Sequence, residues 1–143
     1  MILLSAFISF TGCKKNHETK EETVSVEGKW KMQSHTFNYF DGSDKVVFTS
    51  SAPELYDVIL SKTQITYQFP SDTVAIPYKI YKQGDKSMLQ TEGVPRDLEL
   101  RLTGSEMIWY DQTTDPKECN YYEGGTLKQA AKMTGTFVFK KAN

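Results

Sequence analysis

The sequence predicts an all-β protein: a small antiparallel up-and-down β-barrel of eight or nine strands, with one short helix near the C-terminus. Three observations carry this expectation. Apolar and polar residues alternate with period two over most of the chain beyond residue 24. Turn clusters such as Asp41-Gly42-Ser43-Asp44, Pro70-Ser71-Asp72 and Gly84-Asp85-Lys86 punctuate that alternation at short intervals. Aromatic residues are abundant, with 2 Trp, 8 Tyr and 8 Phe, a composition that suits pleated sheet.

The elements follow in order. Trp30, Met32, Ser34 and Thr36 share one face of the first strand, with Lys29, Lys31, Gln33 and His35 opposite. After the 41–44 turn, Lys45 to Thr49 reads as a second strand. Tyr56 to Leu60 and Thr63 to Phe69 follow, the latter with Ile65, Tyr67 and Phe69 on one face. Thr73 to Lys82 sets Val74, Ile76, Tyr78 and Ile80 on one side, and Pro77 inside it implies a bulge or an edge position, because proline cannot donate to a ladder. Met88 to Thr91 is a further strand. The clearest pattern is Leu98, Leu100 and Leu102 alternating with Glu99, Arg101 and Thr103. Gly104-Ser105 turns that strand onto Glu106 to Gln112, which carries Met107 and Trp109 on one face and Ile108 and Tyr110 on the other. Thr113 to Gly125 reads as a long polar loop, Leu127 to Met133 as the short helix ended by Gly135, and Thr136 to Lys140 as the last strand with Phe137 and Phe139 aligned.

A meander of this length closes most economically into a barrel, which removes its exposed edges; a sandwich is the second choice. The balance of 17 basic against 18 acidic residues provides no phosphate-neutralising face, so no nucleic-acid partner is expected.

The N-terminus has its own character. Met1 to Phe10 is apolar, Thr11 and Gly12 are small, Cys13 follows, and Lys14 to Glu22 contains no apolar residue. As a helix the first twelve residues would rise about 18 Å, well short of a hydrocarbon core of about 30 Å, so they do not read as a transmembrane span. The run resembles the signal peptide of a bacterial lipoprotein. That resemblance implies cleavage before Cys13, acylation of its thiol, and anchoring by several acyl chains in the cell envelope, the outer membrane ahead of the inner. The organisation expected is then a signal peptide over 1–12, a flexible tether over 13–23 and one domain over 24–143. Cys119 would remain a lone thiol; without acylation, a Cys13–Cys119 bridge is the alternative.

Gly28-Lys29-Trp30 opens the first strand of the meander. A Gly-X-Trp at that place resembles the signature of the lipocalin and fatty-acid-binding superfamily, and the chain as a whole is similar to the lipocalin-like lipoproteins of Bacteroidetes. The resemblance implies a structural role for Gly28, where the chain bends, and for Trp30, which plugs the closed end. Many family members stack an arginine on that tryptophan; here Lys140 is the cation expected near the indole.

Chemistry-bearing motifs are few. No nucleophile elbow, metalloprotease helix, phosphate-binding glycine loop or Cys-X-X-Cys occurs, and an enzyme is not expected. His17 lies in the tether and His35 on the lysine-bearing face. Asp111, Asp115 and Glu118 are close in sequence but lack calcium-loop spacing, so solvated loop charges are expected, with no metal and no cofactor. Binding is the better-supported class. Ile65, Tyr67, Phe69, Ile76, Tyr78, Leu100 and Trp109 are the candidate wall of a site for a small lipophilic ligand, against the plainer reading in which they are simply core. A second class is an envelope interaction module with a filled barrel, using Tyr39, Phe40, Tyr121 and Tyr122 on its exterior toward a protein partner.

Overall fold

A computed structural model describes residues 25–52 and 55–143. It contains eleven strands: β1 (Gly28–Phe40), β2 (Val46–Ser51), β3 (Asp57–Leu60), β4 (Gln64–Gln68), β5 (Thr73–Gln83), β6 (Lys86–Thr91), β7 (Leu98–Thr103), β8 (Glu106–Thr113), β9 (Asn120–Glu123), β10 (Thr126–Gln129) and β11 (Lys132–Lys141). All pairings are antiparallel. Eight strands close a barrel in the order β1-β3-β4-β5-β6-β7-β8-β11, with β11 returning to β1. The expected closed barrel is present, and β2 is an extra strand on the far half of β1.

The expected helix over 127–133 is absent; the segment is divided between β10 and β11. The cause is local. Gly124 and Gly125 both adopt positive φ, at 59° and 79°, and fold β10 back onto β9 with Leu127 opposite Tyr122. Seven residues form at best a marginal helix in water, so pairing of Lys132 with Phe40 at the top of the β1–β11 ladder prevails over propensity.

A second correction concerns β1. Its register against β11 shifts between Met32 and Ser34, a bulge that inverts the alternation. Trp30 and Met32 point into the barrel, and beyond the bulge His35, Phe37 and Tyr39 do so. His35 is therefore on the inner wall, not on the lysine-bearing exterior. Pro77 lies where β5 passes from β4, paired over 73–77, to β6, paired over 78–83; its carbonyl accepts from Glu92 N at 3.3 Å just past the end of the β6 ladder.

The narrow end of the barrel is sealed. Trp30 is fully buried and its Nε1 donates to Val26 O at 2.8 Å. Gly28, at φ 127°, gives the chain the bend that brings Val26 over the indole. The cation above the ring is Lys141, 5.4 Å from its centroid, and not Lys140. The parity of β11 explains this: Phe137, Phe139 and residue 141 share the inner face, whereas Lys140 points out. Above Trp30, Val58, Ile65, Leu89, Met107, Trp109 and Phe139 are all at most 1% exposed and fill the lower barrel.

A second small core sits at the other end. The β9–β10 hairpin lies over the far half of β1 and β2, packing Tyr121 on Phe48 at 4.8 Å and on Tyr39 at 5.1 Å, with Cys119, Ala130 and Met133 beneath. Of the four aromatics expected outside, Tyr121 is thus buried and Tyr39 half-buried, and only Tyr122 is broadly exposed.

Candidate functional site

At the wide end of the barrel the inner wall is aromatic. Tyr56, just ahead of β3, packs against Tyr67 of β4 at 5.6 Å and against Phe69 at 5.1 Å. Tyr67 meets Trp109 edge-on at 6.3 Å. Opposite, His35, Phe137 and Trp109 occupy one row across β1, β11 and β8. Gly135, one row higher, has no side chain because the Phe37 ring covers it: a Cβ there would sit 3.3 Å from Phe37 Cε1. Apart from Trp109, which is sealed at 1% exposed, these inward-facing groups are more open than the rows below them. Phe69 and Val74 at the lip are each 41% exposed, and Tyr56, Tyr67, His35, Phe37 and Phe137 are half-buried.

Two polar atoms in the row lack partners. His35 Nε2 and Trp109 Nε1 are buried without a hydrogen bond among the described residues. A buried polar group left unsatisfied costs about 1–3 kcal/mol, and native interiors contain few of them. Burial pushes the His35 pKa below its ordinary value, which favours the neutral imidazole. It pushes the Tyr67 hydroxyl up to about 12, and the Tyr56 hydroxyl rises as well, from burial first and from Tyr67 second. All three groups are therefore uncharged near neutral pH.

Charge at the wide end is gathered in one cluster. Arg96, in the loop between β6 and β7, donates from Nε to Asp111 Oδ1 at 3.0 Å and from Nη2 to Asp111 Oδ2 at 2.6 Å. Its Nη1 binds Glu118 Oε2, which also accepts from Thr113 Oγ1 at 2.8 Å. Asp111 shares the inner face of β8 with Trp109 and Thr113. The Arg96 guanidinium, then the Thr113 hydroxyl, hold the Glu118 carboxyl below the usual range, and the two carboxylates hold Arg96 charged. Asp115, the third acidic residue of the loop, instead accepts from Lys117 N at 2.9 Å and shapes the turn. The expected solvated loop charges are thus corrected for Asp111 and Glu118, which an arginine draws together. Among the described residues, no group of three His, Cys, Asp or Glu side chains is placed to hold a metal ion.

The structure divides the sequence-derived wall into two levels. Ile65, Leu100 and Trp109 are 0%, 6% and 1% exposed and belong to the filled lower barrel. Ile76 and Tyr78 are half-buried against that core, and Tyr78 Oη donates to Ser61 O at 2.6 Å. Tyr67 and Phe69 reach the open end, where Tyr56, His35, Phe37 and Phe137 join them. Those four were outside the sequence-derived set. Strand parity pointed to Phe137, while the bulge in β1 hid His35 and Phe37. Cys13 lies outside the described residues. Cys119 is a free, fully buried thiol whose Sγ donates to Thr113 O at 3.6 Å.

A separate groove of 410 Å³ runs under the loop after β6, between Tyr78, Thr91, Val94 and Pro95. It opens widely to solvent, and Lys79, Glu92 and Asp97 give its wall charge of both signs. It lacks the enclosure that small-molecule sites have.

The class defined by these features is a closed antiparallel barrel, filled below and open above onto an aromatic wall. No protein-family model matches the chain, and neither does any curated protein or solved structure.

Proposed function

We propose that the protein binds a small lipophilic molecule at the wide end of the barrel, among Tyr56, Tyr67, Phe69, His35 and Phe137. One observation carries this reading: inward-facing aromatic side chains at that end stay open to solvent, whereas the rows below them are sealed. Exposed apolar surface inside a concave wall favours an apolar occupant, at about 25 cal/mol per Å² removed from water. Two polar groups of this end are already committed within the fold: His35 faces rings and Arg96 is engaged by two carboxylates.

We further infer that the barrel is a lipocalin-like lipoprotein held in the bacterial envelope through acylated Cys13. What supports this is the apolar run, the small residues before Cys13 and the Gly28-Lys29-Trp30 opening. Cys13→Ser should move the protein from the membrane to the soluble fraction and abolish fatty-acid labelling; unchanged membrane association contradicts the anchor.

The binding site is tested with N-phenyl-1-naphthylamine, an uncharged lipophile that fluoresces when it leaves water. The full chain should give a saturable, one-to-one rise in fluorescence that Phe69→Asp removes. A chain that gives no saturable rise, or one equal in Phe69→Asp, does not bind at the wide end. The alternative, an interaction module, draws on Tyr122 and Leu127, which stand opposite each other on the capping hairpin at 68% and 55% exposure. It predicts a protein partner lost in Tyr122→Ser with dye binding absent.

A further inference from the structure

We propose that the molecule held at the wide end is an uncharged lipophile presenting a hydrogen-bond acceptor oxygen, and not a fatty acid or other anion. This rests on the reading of the wide end as a binding site and specifies what that site selects.

The donors come first. Trp109 Nε1 can only donate, and it has no acceptor among the described residues. His35 Nε2, on the other side of Phe137 in the same row, is likewise without a partner. Phe137 lies between the two residues in that row, against both rings, and is itself half-buried. The Tyr56 and Tyr67 hydroxyls lie on the facing wall and stay protonated. An oxygen acceptor on the ligand thus meets neutral donors, and Trp109 Nε1, which can only donate, gains its first partner.

The charges exclude the alternative. The cation on the wide-end wall is Arg96, and Asp111 takes it through two bonds and Glu118 through a third. One guanidinium with two carboxylates leaves a net negative cluster one row above Trp109. A carboxylate entering here would find no free cation among the described inward-facing residues and would lose its hydration, which a low-dielectric wall does not replace. An ester, ketone or aldehyde oxygen bears neither penalty. Lys141, the other cation on the inner face, covers Trp30 at the opposite, sealed end.

The experiment compares one chain in two charge states. The full chain is titrated at pH 7.5 with cis-parinaric acid and with its methyl ester, following probe fluorescence. The ester should bind at least about tenfold more tightly than the acid, and Trp109→Phe should weaken the ester about two- to tenfold, the worth of one net hydrogen bond. An acid that binds as tightly as the ester overturns the inference while leaving a lipophile site in place. An ester affinity unchanged in a folded Trp109→Phe chain also overturns it. If neither probe binds, the wide-end reading itself fails. Where the variant does not fold, the wild-type acid–ester comparison decides the charge, and a polyene hydrocarbon of equal length that binds as tightly as the ester overturns the acceptor requirement.

Discussion

His35 stacks on Phe137 across the β1–β11 ladder, with ring centroids 4.0 Å apart and planes 26° from parallel. The pairing exists because the bulge after Met32 turns the histidine inward, and it makes the imidazole a buried, neutral group.

The consequence is a pH dependence of stability. Burial lowers the His35 pKa in the folded state, whereas the unfolded chain titrates near its ordinary value of about 6.5. The unfolded state therefore binds the proton first as pH falls. The stability linked to neutral His35 is fully present above about pH 6.5 and is lost as pH drops through the folded-state pKa. The urea midpoint should decline as pH falls below about 6.5, and His35→Phe should flatten the decline. A wild-type profile that matches His35→Phe refutes the assignment.

Arg96 ties the loop that carries the capping hairpin to the barrel wall. Replacing it with Met leaves Asp111 and Glu118 facing each other unpaired, which should favour local opening of the hairpin over the small core beneath it. Cys119 reports that opening, since burial, followed by Glu118, raises its thiol pKa and suppresses the thiolate. In a Cys13→Ser chain, Cys119 is the single thiol. Arg96→Met should speed its reaction with a disulfide reagent by about tenfold or more without global unfolding. Glu118→Gln should do so more weakly, because Thr113 can still bond the amide. Equal rates in all three chains would separate the cluster from hairpin closure.

The sealed end responds differently. Trp30 is fully buried with its N–H satisfied by Val26, so Trp30→Ala should cost about 3–5 kcal/mol of unfolding free energy, the range for deleting a large core aromatic. Lys141→Met keeps the aliphatic stem over the indole and removes only the cation, and should cost about 1 kcal/mol or less. Denaturant titration checks both. A small effect of Trp30→Ala would mean that the narrow end is not the principal core.

Much of this architecture is legible in the sequence, and the parts that are not have definite causes. The alternation of Leu98, Leu100 and Leu102 fixes which face of β7 is inner, and Gly28-Lys29-Trp30 marks the sealed end. Alternation states the face but not the height in the barrel, so Leu100 and Phe69 look equivalent although one is core and the other forms the lip. One extra residue in β1 inverts every later position on that strand, so His35 faces inward where strict alternation sets it outside. The Gly124-Gly125 turn outweighs the helix-forming composition of 127–133. Arg96 escapes a motif search because its partners lie 15 and 22 residues away and meet it only once β7 pairs with β8 and the loop after β8 folds back.

The proposed place of entry for a lipophile is the wide end. Aromatic ¹H–¹³C NMR of the full chain during titration with N-phenyl-1-naphthylamine tests this most directly. Shifts should concentrate on Tyr56, Tyr67, Phe69, His35 and Phe137 and saturate at one equivalent, while Trp30 at the sealed end stays unmoved. Shifts confined to Tyr122 on the outer hairpin, or none at all, would contradict it.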